Sequence, residues 1–257
     1  MLVFPQFSSG ANVQYPLVRV ASNRTVINAL LDGSVVKFED VSAGRARWEL
    51  RLESLDEAER QSVEQLFLAT EGELKSFTLL DPTTNLLSWT EDFSKPVWVF
   101  DPLIQAIGGI ADPIGGSAAW QVTNSGQASQ QVVQAIAAPA GLGFCFSIYA
   151  RGIGSVNLVR STTTTGFALT SSWQRISTAG SSSGTGDIFQ IAIALDPGGH
   201  VQIFGPQLEA QPAAGPYRRS LAAGGVSLVR FDSDRLNTVA VGLDRHSTVI
   251  HLVSVEE

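Results

Sequence analysis

The chain has 257 residues, a formal net charge of −7 and a sequence pI near 5.0. That acidity excludes the broad basic face with which a protein holds nucleic-acid phosphates, so no nucleic-acid partner is expected. A single cysteine, Cys145, excludes intrachain disulfides and cysteine-rich metal sites, and no apolar run approaches the roughly 18 residues that cross a bilayer.

The N-terminus, Met1-Leu2-Val3-Phe4-Pro5, lacks the basic region and long apolar core of a secretory signal, so a soluble chain made in the cytoplasm is expected. A polar arm bearing prolines follows, from Phe4 to Pro16. Between Arg24 and Asp40, two β-branched runs flank Asp32-Gly33, the dipeptide suited to a type I′ turn, which predicts a hairpin. In "WELRLE", Trp48, Leu50 and Leu52 alternate with Glu49, Arg51 and Glu53, the pattern of a half-buried antiparallel strand. One main helix is expected next, with Ser54 and Glu57 as a capping box and Gly72 as its stop. Leu55, Ala58, Val63, Leu66 and Phe67 lie near one face of it, and Glu59, Glu64 and Glu71 read as a solvated face. "KSFTLLDP" returns as a strand ending at Pro82.

Charged residues then thin out between 85 and 222 and return after 223. Such a shift and return predicts an inserted domain, 85–222, within a parent domain made of 1–84 with 223–257. The middle segment reads as short strands parted by Gly, Ser, Thr and Pro turns. "FCFSIYAR" sets Phe144, Phe146 and Ile148 on one face, and "FQIAIAL" does so with Phe189, Ile191, Ile193 and Leu195. Strands without intervening helices indicate a β-sandwich. The last flank offers strands at 226–231, 236–241 and 248–255, too few to bury their own faces, so they should complete the first flank's sheet.

Reactive constellations are scarce. His200, His246 and His251 lack metal-ligand spacing, and neither a nucleophile elbow nor a phosphate loop occurs. Cys145, inside an apolar strand, reads as a small buried hydrophobe. Asp101, Asp112 and Asp196 each precede proline and read as turn residues. An enzyme is not expected. Trp173, opening the strand "SSWQRIS", is expected to point inward.

Two resemblances follow from these segments. "NLLSWTEDFSKPVW" (85–98), "ASQQVVQAI", "FCFSIYAR", "SSWQRIS" and "VQIFGPQLEAQPAAGPYRRS" (201–220) resemble, in order, the carbohydrate-binding-module-like jelly roll of phage tail and virion proteins. Phe204 and Pro206 depart from it, standing where Trp and Ala are common. This resemblance implies an antiparallel jelly-roll sandwich, framework roles for Trp89, Trp98, Trp173 and Tyr217, and a sugar site on loops or the concave sheet face, its residues unassigned. It also implies a structural calcium ion near the terminal strands, with Glu91, Asp92 and Glu209 as candidate ligands.

"NRTVINALLDGSVVKFED" and "SLDEAERQSVEQLFLATEGELKSFTLLDP" are similar to the N-terminal domain of distal tail proteins of long-tailed phages and gene-transfer agents. That implies a β-barrel or sandwich domain that forms a ring, usually a homo-hexamer, between tail tube and tail hub proteins in the virion tail. The inserted jelly roll would project outward and touch host-surface glycan or neighbouring proteins. The competing expectation is a stand-alone glycan-binding adhesin, or an accessory module of a polysaccharide-degrading enzyme. Neither implies membrane insertion or a further cofactor.

Overall fold

The computed structural model describes residues 1–255, residues 41–43 by their backbone alone. In chain order the elements are β1 (Leu17–Ala29), β2 (Val35–Leu55), α1 (Glu57–Ala69), β3 (Phe77–Leu80), β4 (Val99–Phe100), β5 (Ile104–Ile110), β6 (Ala119–Asn124), β7 (Gln130–Ile136) and β8 (Gly143–Ile153). They continue as β9 (Ser155–Arg160), β10 (Thr163–Ala168), β11 (Gln174–Ser181), β12 (Phe189–Leu195), β13 (His200–Glu209), β14 (Val226–Phe231), β15 (Thr238–Gly242) and β16 (Arg245–Ser254). The protein is all-β with one main helix. Its residues gather into two compact units, one of 2–5, 13–78 and 228–255, the other of Met1, 6–12 and 79–227. Residues 6–12 of the polar arm thus pack with the second unit, where the Gln6 amide donates to the carbonyl of Gly143 at 2.8 Å.

In the first unit the sheet order is β1-β2-β16-β14-β3, with β15 also pairing β16, so the C-terminal strands complete the sheet. The alternation in β2 is the reason they fit. Trp48, Leu50 and Leu52 are buried and stand opposite Leu252, Ile250 and Thr248 of β16. α1 adds Val63 and Leu66 to this layer, and Phe67 meets Phe231 edge-on with centroids 5.1 Å apart.

Two local expectations are corrected here. The cap is Asp56, which accepts from the Glu59 N–H, while the Glu59 side chain accepts from the Asp56 N–H. Ser54 is unavailable because β2 continues to Leu55, opposite His246, so the capping box sits two residues later than Ser54 and Glu57. The hairpin tip is a three-residue loop, Leu31-Asp32-Gly33, in which Gly33 alone takes positive φ, at 81°. The Leu30 N–H donates to Ser34 and the Gly33 N–H donates to Leu30. Asp32 keeps ordinary φ because its carboxylate accepts from the N–H and hydroxyl of Ser34, which a type I′ turn does not require.

The second unit is a sandwich of two antiparallel five-stranded sheets, ordered β10-β9-β12-β7-β4 and β11-β8-β13-β6-β5. Phe144, Phe146 and Ile148 of β8 face Phe189, Ile191, Ile193 and Leu195 of β12 in one core, and the rings of Phe144 and Phe189 lie 4.1 Å apart. Each such buried side chain contributes about 1.5–3 kcal/mol. Asn85, wholly buried, ties together the two places where the chain enters and leaves this unit. Its Nδ2 donates to the carbonyls of Pro206 and Arg218, and its Oδ1 accepts from the N–H groups of Leu87 and Leu208. Gly205-Pro206 forms a bulge inside β13. There Gly205 has φ of 57°, and a Cβ would meet the Tyr217 ring at 2.7 Å.

Candidate functional site

In β8 the even-numbered side chains from Phe144 to Ala150 enter the core, so alternation turns Tyr149, Arg151 and Ile153 to the other face of the sheet. Strand register then builds rows across that face. One row runs Arg151, Gln202, Gln121, Ile107 across β8, β13, β6 and β5. Beside it stands Ile153, His200, Thr123, Gln105, and on the other side Arg175, Tyr149, Phe204.

Trp173 joins this face rather than the core, which corrects the inward placement. It stands just before β11, after the bend at Ser171-Ser172, so strand alternation does not dictate where its ring goes. The guanidinium of Arg151 lies over the half-buried ring, 4.7 Å from its centre, and donates through Nε to Gln202 Oε1 at 2.7 Å. Thr123 Oγ1 and His200 Nδ1 lie 3.0 Å apart. Arg151, Gly152, Ile153, Ser171, His200 and Gln202 line a depression of about 290 Å³. Among the described residues, the amides of Gln105 and Gln121 and the terminal nitrogens of Arg151 have no protein partner. The face therefore combines a fixed aromatic ring, free amide donors and acceptors, and a cation.

The other sequence candidates lie elsewhere. Trp98 is buried, donating its Nε1–H to the Trp89 carbonyl, and Lys95 sits over the Trp89 ring. Cys145 is buried, and desolvation, with Glu209 nearby, pushes its thiol up to about 11, the opposite of an activated nucleophile. Asp101 and Asp112 accept backbone N–H groups in turns, and Asp196 accepts from Ser155 and Asn157. His246 pairs with Glu57 at 3.1 Å, and His251 is exposed on β16.

The three carboxylates implied for calcium each face protein donors. Glu91 accepts from the Tyr217 hydroxyl and pairs with Arg219, both at 3.0 Å. Asp92 accepts from the Ser94 hydroxyl and N–H, which holds its carboxyl below the usual range, and Lys95 is 3.5 Å away. Glu209, 3% exposed, accepts from the Gly215 N–H and the Gln211 amide, with Arg218 at 3.4 Å. Among the described residues no three His, Cys, Asp or Glu groups are grouped to hold a metal ion. Glu91, Asp92 and Glu209 do not fit the six to eight oxygens, roughly, that calcium takes. Glu209 instead staples the loop that follows β13.

No family model and no curated protein matches the chain. Solved structures similar to it include the enzymatically active domain of bacteriophage CBA120 tailspike protein 4, at 10% identity and a TM-score of 0.40, over 51% of this chain and 22% of that one. The chain thus spans less than a quarter of that tailspike domain. TmCBM61 in complex with beta-1,4-galactotriose is similar at 16% identity and a TM-score of 0.36, over 48% of this chain and 97% of that one. The C-terminal family 22 carbohydrate binding module of Clostridium thermocellum Xyn10B is similar at 15% identity and a TM-score of 0.39, over 52% and 99%.

Proposed function

We propose that this protein is a non-enzymatic component of a phage tail tip or a related particle. Its first unit assembles as a ring between tail tube and hub, and its sandwich unit touches host-surface glycan. The observation that carries the glycan reading is the row Arg151, Gln202, Gln121 beside the part-exposed ring of Trp173. Sugars present an apolar ring face and a rim of hydroxyls, which match an aromatic plane flanked by amides, Gln202 held by Arg151 and Gln121 unpaired among the described residues. The assembly reading rests on the likeness of residues 23–40 and 54–82 to distal tail proteins. Several copies in one ring would multiply a weak saccharide contact by effective concentration.

Glycan arrays and calorimetry on the full chain test the first part. Trp173→Ala and Gln202→Ala are each expected to weaken saccharide binding about tenfold, the effect of losing roughly 1.4 kcal/mol, with an unchanged melting temperature. Undiminished binding by both variants would sink the assignment of this face. Electron micrographs of the purified protein test the ring, and a monomer at every concentration would refute it.

A further inference from the structure

The hairpin of the first unit leaves its sheet as a two-stranded ribbon. β16 pairs β2 only from Arg47 to Leu55, so the stretch Arg24–Ala29 of β1 and Val35–Asp40 of β2 pair solely with each other. Such a ribbon is marginal in water without a third strand or a packed helix. This one exposes Ile27, Leu30, Val35 and Phe38 by about half, and Leu31 completely at its tip. Ile27 and Val35 lie on one face of the ribbon and Val36 and Phe38 on the other, and large apolar side chains exposed on both faces of so narrow a ribbon mark a surface that something covers. Next to Leu31, the carboxylate of Asp32 meets only the N–H and hydroxyl of Ser34 and no cation among the described residues.

The same unit carries a surface that complements this tip. A groove of about 490 Å³ is lined by Glu53, Arg235, Val239 and Val249 among others. Val239 and Val249 are 58% and 49% exposed, and β15, which carries Val239, pairs with β16 alone. The Arg235 side chain has no carboxylate partner among the described residues. Glu53 offers the groove an anion, and Lys37, opposite Ile27 on the ribbon, supplies a cation of opposite sign.

We propose that the Leu31-Asp32 tip of one copy docks in this groove on the next, with Leu31 against Val239 and Val249 and Asp32 against Arg235. The occupant is a second copy because the apolar tip and the groove, with their opposite unpaired charges, lie on one chain, yet the tip is fully exposed within that chain. A contact between two different patches repeats head to tail, and it closes when the rotation permits, giving a ring. This inference rests on the assembly reading above and specifies its contact.

The test is self-association of the full chain, followed by sedimentation and native mass spectrometry. Asp32→Arg and Arg235→Asp are each expected to weaken association about tenfold or more, and the combined exchange to restore most of it. Leu31→Ser, which leaves the charges intact, is expected to weaken it as well. Circular dichroism checks that each variant is folded; Arg235→Asp and Leu31→Ser alter exposed side chains, so they remain informative if Asp32→Arg disturbs the turn. Rings that survive Leu31→Ser and Arg235→Asp would overturn the tip contact while leaving the assembly reading standing. A double exchange as weak as either single change would overturn the Asp32–Arg235 pairing. A wild-type monomer at all concentrations would overturn both the contact and the ring.

Discussion

Replacing Asn85 with alanine removes one side chain and four hydrogen bonds. The amide is 0% exposed, and its partners lie at 2.9 Å (Pro206 carbonyl), 3.2 Å (Arg218 carbonyl) and 3.1 Å (the N–H groups of Leu87 and Leu208). Each bond contributes about 1 kcal/mol net, and the orphaned groups have little water to turn to. A total loss of roughly 3–5 kcal/mol is expected, the small cavity included. Asn85→Asp sharpens the test. It keeps the acceptor for Leu87 and Leu208 but points a charged oxygen at two carbonyls, so at neutral pH it should cost at least as much as alanine. Equilibrium urea unfolding, followed by tryptophan fluorescence, four of the five tryptophans lying in the sandwich unit, measures both. A loss below about 1 kcal/mol for alanine, or a neutral aspartate, would refute the view that this amide fastens the sandwich.

Three further outcomes are expected. Gly205→Ala should cost about 1–3 kcal/mol in denaturant titrations, because φ is 57° and the new Cβ falls 2.7 Å from the Tyr217 ring; unchanged stability would contradict that geometry. Hydrogen bonds from Arg60 and Gln61 hold Glu57 at about 2 against an ordinary 4.5. A depressed carboxyl stabilises the fold fully above its ordinary value and stops doing so as pH falls from about 4.5 to 2. Arg60→Gln should therefore flatten the acid side of the melting-temperature profile, and parallel profiles would rule this out. Because Glu91, Asp92 and Glu209 are held by Arg219, Lys95, Arg218 and nearby donors, a chelator should leave the melting temperature unmoved; a clear drop would restore the calcium expectation.

Much of the fold could be read from alternation. Trp48, Leu50 and Leu52, and the runs from Phe144 to Ile148 and from Phe189 to Leu195, place themselves in cores because period two leaves no other inward set. Local frames were less legible. Ser54 reads as a cap until the neighbouring strand claims it, and Asp32-Gly33 reads as type I′ until the Asp32 carboxylate turns to Ser34. The candidate face was hidden for a different reason. Gln121, Arg151 and Gln202 each stand beside core residues in "WQVTN", "IYARG" and "VQIFG", so their outward direction was within reach. What no local stretch contains is the lateral order β8, β13, β6, β5 that lines them up in one row. Trp173 escaped because it lies just outside a strand, where neither period applies.

The pairing of the points where the chain enters and leaves the sandwich has a mechanical side. The Asp81 N–H donates to the Gly225 carbonyl, the Gly225 N–H to the Asn85 carbonyl, and the Trp89 N–H to Leu221. Tension applied to the chain at residues 79 and 227 is carried across this short clamp. Apart from the end of β13, where Pro206 and Leu208 bond Asn85 and Leu86, the strands between 99 and 209 lie outside this set of bonds. A sandwich fastened in this way keeps its two chain ends together, so most of its strands lie outside the load path between residues 79 and 227.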